Sequence, residues 1–256
     1  MDLGLKGKRA LVLGASRGLG KEIAASLARE GVEVIAAARR QELIDDWAGG
    51  MSNVTTKRVD LADFDTVAAL AEGLLKDGGV DILVNNSGGP APGQAHSTER
   101  GAWIAQFEAM AANVFELTRL LLPPMRERGW GRILTIGSSG IIQPIPNLAM
   151  SNGVRSAVLG WSRTLAAEVA RDGVTVNMIL PGRIGTERVD ELDAAASKRT
   201  GKSVEDIAAA ARETIPAGRY GRPEEFADVA VFLVSERASY VTGSQIRVDG
   251  GLIRSV

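Results

Sequence analysis

Apolar positions along the 256-residue chain fall into two alternating arrangements. Short, nearly unbroken runs begin at residues 9 (RALVLG), 32 (VEVIAAA), 54 (VTTKRVD), 81 (DILVNNSG), 131 (GRILTIGS), 174 (VTVNMILPG) and 244 (SQIRVDGG). Between them lie longer, amphipathic, helix-prone segments such as KEIAASLAREG. A short apolar run fits a strand buried on both faces, and each amphipathic segment is long enough for a helical crossover. The repeated strand–helix–strand unit predicts an α/β fold: a doubly wound, mostly parallel sheet with helices on both faces. Right-handed crossovers then gather the C-terminal ends of the strands on one edge, where a ligand would bind. The polar stretch at about 187–215, ERVDELDAAASKRTGKSVEDIAAAARETI, interrupts this alternation and is expected to form a lid. No repeat, low-complexity tract or linker divides the chain, so residues 1–256 read as a single domain.

Composition narrows the chemistry. Lys+Arg 30 against Asp+Glu 31 gives a net charge of -1, with no basic run that would track a nucleic acid backbone. With Cys 0 and a single histidine, His96, there is no disulfide framework and no metal-ligand set. Chemistry is left to hydroxyls, amides, carboxylates and cations. The N-terminus MDLGLKGKRALVLG has no long apolar core, and no stretch reaches the roughly 18 apolar residues of a membrane span. A soluble, cytoplasmic protein without membrane partners is expected.

The first strand runs into LGASRGLGKEI, which sets Gly14, Gly18 and Gly20 between a strand and a helix. Glycines there allow a sharp turn and close approach of a pyrophosphate, whose charge the helix N-terminus stabilises. The plain alternative is a glycine-rich turn with no ligand. The second strand ends AAARR, with no carboxylate for a ribose 2′-hydroxyl. Arg39, with Arg17 of the glycine loop, offers charge-assisted bonds to a 2′-phosphate, which favours NADP(H) and leaves NAD(H) as the alternative. Two solvated arginines would look the same in sequence.

The G-x-x-x-G-x-G spacing, NNSGG at 85–89, LPGRIGT at 180–186 and the long segment GRYGRPEEFADVAVFLVSERASYVTGSQIRVDGG at 218–251 together resemble the short-chain dehydrogenase/reductase family. The likeness runs the length of the chain and is similar to that of 3-oxoacyl thioester reductases. The resemblance implies a homotetramer or homodimer that binds a nicotinamide dinucleotide. The cofactor would lie along Gly14, Ser16, Arg17, Gly18, Leu19 and Gly20. Asp60 and Leu61 would stand at the adenine, Asn86 and Gly88 at the adenosine ribose side, and Ile184 and Thr186 at the nicotinamide and phosphates.

The same resemblance implies a catalytic serine, an asparagine, and a tyrosine and lysine one helical turn apart. Ser138, with Ser139 beside it, and Asn113 match the first two. In NLAMSNGVRSAVLGWSRT the register set by Gly160 places Ser151 on the tyrosine and Arg155 on the lysine. Arginine keeps the positive charge and still reaches a ribose, but with a pKa above about 12 it does not relay protons. A serine hydroxyl is a far weaker acid than a phenol, whose pKa is about 10, and it is shorter. A water would bridge the gap.

Three readings follow: an NADP(H)-dependent carbonyl reductase with a water as proton source, a reductase of conjugated acyl thioesters whose oxyanion needs hydrogen-bond donors, and a nucleotide-binding sensor or scaffold subunit without turnover. Tyr220 and Tyr240 are the only tyrosines, and packing is the plain role for Tyr220. Arg183 and Arg188, at the start of the lid, face an anionic substrate in one reading and solvent in the other. His96, in the loop SGGPAPGQAHSTER, reads as an exposed loop residue.

Overall fold

All seven apolar runs are strands of one sheet in the computed structural model, which describes residues 1–254. They are β1 Arg9–Leu13, β2 Glu33–Ala38, β3 Val54–Arg58, β4 Ile82–Asn85, β5 Gly131–Ile136, β6 Val174–Pro181 and β7 Gln245–Val248. The order is β3-β2-β1-β4-β5-β6-β7, and every pairing is parallel. The order reverses between β1 and β4, opening the crevice in which such sheets bind ligands.

Side-chain alternation divides the core into two layers. Ala10 and Val12 of β1 face one side, with helices α1 (Gly18–Arg29), α2 (Glu42–Ala48) and α9 (Pro223–Leu233). Leu11 and Leu13 face the other, against α3 (Phe64–Lys76), α5 (Asn113–Glu127) and α6 (Ala149–Val169). Central strands are therefore apolar on both faces. The edges are not: β3, VTTKR, has no fully buried residue, and β7 is also only partly covered. An edge strand needs fewer apolar side chains because fewer neighbours cover it.

Between α4 (Arg100–Phe107) and α5 the chain widens into a π turn at Glu108–Ala112. Met110 and Ala111 of that turn pack with Val154, Val158, Met178 and Leu180, a small third cluster under the face of α6 that carries Ser151 and Arg155.

The stretch expected to be a lid forms two helices, α7 (Glu187–Thr200) and α8 (Val204–Glu213). Their ends explain themselves. Glu187 and Asp190 sit in the first turn of α7 and Lys198 and Arg199 in its last, matching the helix dipole, and Gly201 closes it at φ 72. Ser203 caps α8, its hydroxyl accepting from the Asp206 amide at 3.1 Å. Among the described residues no helix is long and apolar enough to cross a membrane.

Candidate active site

The C-terminal ends of β1 to β6 open into one cleft of about 1370 Å³. It is larger than the few hundred to about 1000 Å³ of a small-molecule pocket, which leaves room for a dinucleotide and a substrate together.

Its floor at one end is the glycine loop. Gly14 has φ +61, and a Cβ there would come within 2.6 Å of Asn86 Nδ2, the amide that donates to the Gly14 carbonyl at 3.3 Å. Gly20 does not line the cleft: it packs directly under the Gly14 carbonyl, where any side chain would collide. Helix α1 begins here without a side-chain cap and without an acid in its first turn. Its leading amides point at the cleft edge with the positive end of the dipole, which suits a phosphate. Ser16, Arg17, Gly18 and Leu19 line this part, and Ile184 and Thr186 stand opposite.

The far end is formed by Ala38, Arg39 and Arg40 after β2 and by Asp60 and Leu61 after β3. Arg39 is exposed and has no ion-pair partner among the described residues. Asp60 turns its Oδ1 back to accept from the Ala62 amide at 3.0 Å. Arg17 is already engaged, its Nη2 lying 2.8 Å from Glu191 of α7.

The inner wall carries the hydroxyls and Arg155. Ser138 ends the β5 segment with extended backbone, and its Oγ accepts from the Gly140 amide at 3.0 Å, capping a short 3-10 turn that begins at Ser139. Ser151 and Arg155 are four residues apart on α6 and so share a face. Ser151 is 8% exposed, lines the cleft, and its hydroxyl bonds to no described residue. Arg155 is half-buried and donates to two main-chain carbonyls, Ile136 at 2.7 Å and Ser87 at 3.3 Å. Burial pushes its guanidinium down to about 10, and the nearby positive charge of Arg188 adds to the effect.

Behind Arg155 is a cavity of about 10 Å³, bounded by Asn85, Ser87 and Thr135. Asn85 Oδ1 and Thr135 Oγ1 are buried without a hydrogen-bond partner. A space of this size, with polar atoms to satisfy, suits one water.

Asn113 is elsewhere. Its amide donates to the Leu61 carbonyl at 2.8 Å, tying α5 to the loop after β3, and the residue does not line the cleft. Gly88, Gly89 and Pro90 form the wall above Arg155. Their loop is pinned to the start of α6 by the Gly93 amide on the Asn147 carbonyl, at 2.7 Å, and His96 on it is exposed.

Sequence reasoning missed Asp193 and Glu191. Asp193 is 4% exposed, and both its oxygens are used, by Arg183 at 2.6 Å and by the Tyr220 hydroxyl at 2.8 Å. A signal existed: Asp193 stands four residues after buried Val189, a carboxylate on the apolar stripe of α7. Gln143, Pro144 and Pro146 also line the cleft, from a loop with no periodic pattern to flag them.

With this geometry in place the relatives become informative. Residues 14–253 match the family model described as enoyl-(acyl carrier protein) reductase. The chain belongs to the short-chain dehydrogenase/reductase family. It is 36% identical to nodulation protein G of Azospirillum brasilense, across 96% of this chain and 98% of that one. It is 33% identical to the 3-oxoacyl-[acyl-carrier-protein] reductase FabG of Escherichia coli strain K12, across 98% and 99%. Among solved structures, L-sorbose reductase from Gluconobacter frateurii, complexed with NADPH and L-sorbose, is similar with a TM-score of 0.94, 33% identity and full coverage of both chains. The family is one of nicotinamide-dependent oxidoreductases.

Proposed function

We propose that this chain is an NADP(H)-dependent oxidoreductase that reduces a carbonyl, or the conjugated bond of an unsaturated acyl group, with an unusual proton donor. A 3-oxoacyl or enoyl thioester and a small ketone are the candidate substrates. Bound NADPH supplies the hydride. The observation that carries the cofactor choice is Arg39, exposed and unpaired at the end of β2, where no carboxylate stands to meet a ribose hydroxyl. The uncapped start of α1 and the tight glycine loop fit the pyrophosphate. NADPH and NADP in the structures of relatives support the same choice.

Around the reacting carbon, the residues act as donors. Ser138 and Ser151 present hydroxyls from the same wall, and each donates to an oxygen that gains negative charge. Neither hydroxyl is acidic enough to deliver its own proton at neutral pH. The proton is drawn from bulk solvent and relayed by water held beside Ser151 and Arg155, and the small polar cavity behind the guanidinium has room for one such molecule. Arg155 keeps its charge throughout and holds the ribose side of the cofactor. Asn113 acts as a positioning residue through Leu61. The pair α7 and α8 covers the substrate as a lid.

The second reading, a nucleotide-binding sensor or scaffold subunit without turnover, is favoured by one observation: among the described residues no phenol lines the cleft. One experiment separates the two. NADPH oxidation is followed with ketones, 3-oxoacyl thioesters and enoyl thioesters, for wild type, Ser138→Ala and the double variant Ser151→Tyr/Arg155→Lys. Turnover by wild type that is lost in Ser138→Ala supports the enzyme. Turnover only in the double variant supports the sensor, and failure to bind NADPH sinks both.

A further inference from the structure

The arginines of the cleft are not equivalent. Arg17 is neutralised by Glu191 at 2.8 Å, and Arg183 by buried Asp193 at 2.6 Å. Arg39 and Arg40 stand at the far end, beyond β2, and Arg254 is exposed on the C-terminal segment. Arg155 and Arg188 remain. Among the described residues Arg155 has no carboxylate partner, and its contacts are the Ile136 and Ser87 carbonyls. Arg188 donates to the Pro90 carbonyl at 2.9 Å, and its one carboxylate contact among the described residues is a long one, 3.5 Å to Glu191, a residue already bound to Arg17.

Ser87 and Pro90 belong to one loop, so the two guanidiniums are brought to the same stretch of backbone, with only Gly88 and Gly89 between the carbonyls they hold. Both glycines line the cleft and present no side chain in the way, and Arg188 lies 3.2 Å from where a Cβ of Gly89 would be. Two like charges at one wall cost free energy unless an anion joins them. The nearby Glu187 does not serve: its carboxylate lies over Gly18, 3.8 Å from where that glycine's Cβ would stand. Arg155 feels the deficit, since Arg188 helps burial lower its affinity for its proton.

We propose that the substrate carries a carboxylate close to the reacting carbon, gripped by Arg188 with Arg155 behind it, so that the preferred class is oxo acids rather than neutral ketones. The planar fork of Arg188 matches a carboxylate, and its Nη2 is held by the carbonyl of Pro90, which also lines the cleft. The inference rests on the reductase reading, and it names which oxo compounds that enzyme would take.

The test uses the full chain saturated with NADP, titrated calorimetrically with acetoacetate, methyl acetoacetate and 2-butanone, followed by NADPH oxidation with the same three. The acid is expected to bind at least about tenfold more tightly than the ester, as a charge-assisted pair implies, and the preference should shrink as salt is raised. Arg188→Gln should abolish the preference, Arg188→Lys should restore part of it, and NADPH affinity should stay within about twofold in both, since the assigned contact is to substrate. Equal binding of acid and ester, or no binding of the acid, overturns the assignment. A loss of NADPH affinity in Arg188→Gln overturns it too, because the arginine then serves the cofactor. Failure of wild type to bind NADPH at all is a different result and removes the reductase reading itself.

Discussion

The Tyr220 hydroxyl donates to Asp193 Oδ2 at 2.8 Å, and the other oxygen of that buried carboxylate takes Arg183 at 2.6 Å. The phenol nearest the cleft is thus committed to anchoring α7, and burial raises its pKa above the ordinary 10.0. A phenol with a raised pKa, pointed at a carboxylate, is a poor acid catalyst. Tyr220→Phe should therefore leave turnover within about twofold while lowering stability by about 1–3 kcal/mol, because Asp193 loses a bond it cannot replace with solvent. Thermal denaturation and steady-state rates measured on one preparation check both halves; a large fall in kcat with unchanged melting would return Tyr220 to the chemistry.

The opposite outcome is expected at α6. A positioned general acid contributes on the order of 10²–10⁴ in rate. Ser151→Tyr/Arg155→Lys should raise kcat for a neutral ketone by at least about tenfold, and Arg155→Lys alone should not. Equal rates for wild type and the double variant would mean that the water route already supplies the proton efficiently.

On the proposed reading, cofactor choice depends on Arg39. Removing one charge-assisted contact to a 2′-phosphate should weaken NADPH binding by about tenfold or more. In Arg39→Asp, NADH affinity should hold or improve, because the new carboxylate meets the ribose hydroxyl. Fluorescence titration with both nucleotides measures the ratio, and an unchanged ratio would remove Arg39 from the site.

Acid stability has a distinct source at the start of α9. Glu225 accepts from both terminal nitrogens of Arg219, at 2.7 and 2.8 Å, and from the Arg222 amide at 2.8 Å. These bonds, Arg219 first, lower its pKa from 4.5 to about 2. A depressed carboxylate stabilises the fold fully above its unfolded pKa and loses that contribution as pH falls from about 4.5 to about 2. Glu225→Gln should be less stable than wild type at neutral pH, with the difference closing across that window in denaturant melts at stepped pH. A constant difference through the window would place the effect outside Glu225 titration.

The sheet was legible because buried strands must be apolar, and the runs of β1, β2, β4, β5 and β6 leave little choice. Many of the glycines and hydroxyls that follow those strands, Gly14, Ser16, Gly88 and Ser138 among them, line the cleft as their place at strand ends suggests. The α7 contacts were not. Whether Arg17, Arg183 or Arg188 is free depends on which carboxylate α7 brings beside it, and that is set by packing between segments far apart in the chain. Asn113 shows the same limit: its position in sequence suggested the cleft, while in the fold it follows a π turn and its side-chain amide donates to the Leu61 main-chain carbonyl.

Arg17 joins the phosphate loop to α7 through Glu191, with both side chains close to half exposed. Such a pair contributes little stability in water and is easily exchanged for a better anion. On the proposed reading, a phosphate that claims Arg17 would displace Glu191, so the nucleotide and the docking of α7 would compete for one cation. By reciprocity, whatever loosens α7 raises nucleotide affinity by the same factor as the nucleotide loosens α7. On the reductase reading this coupling would give the entrance an order of addition, with the dinucleotide arriving first and releasing the helix that the second ligand must pass.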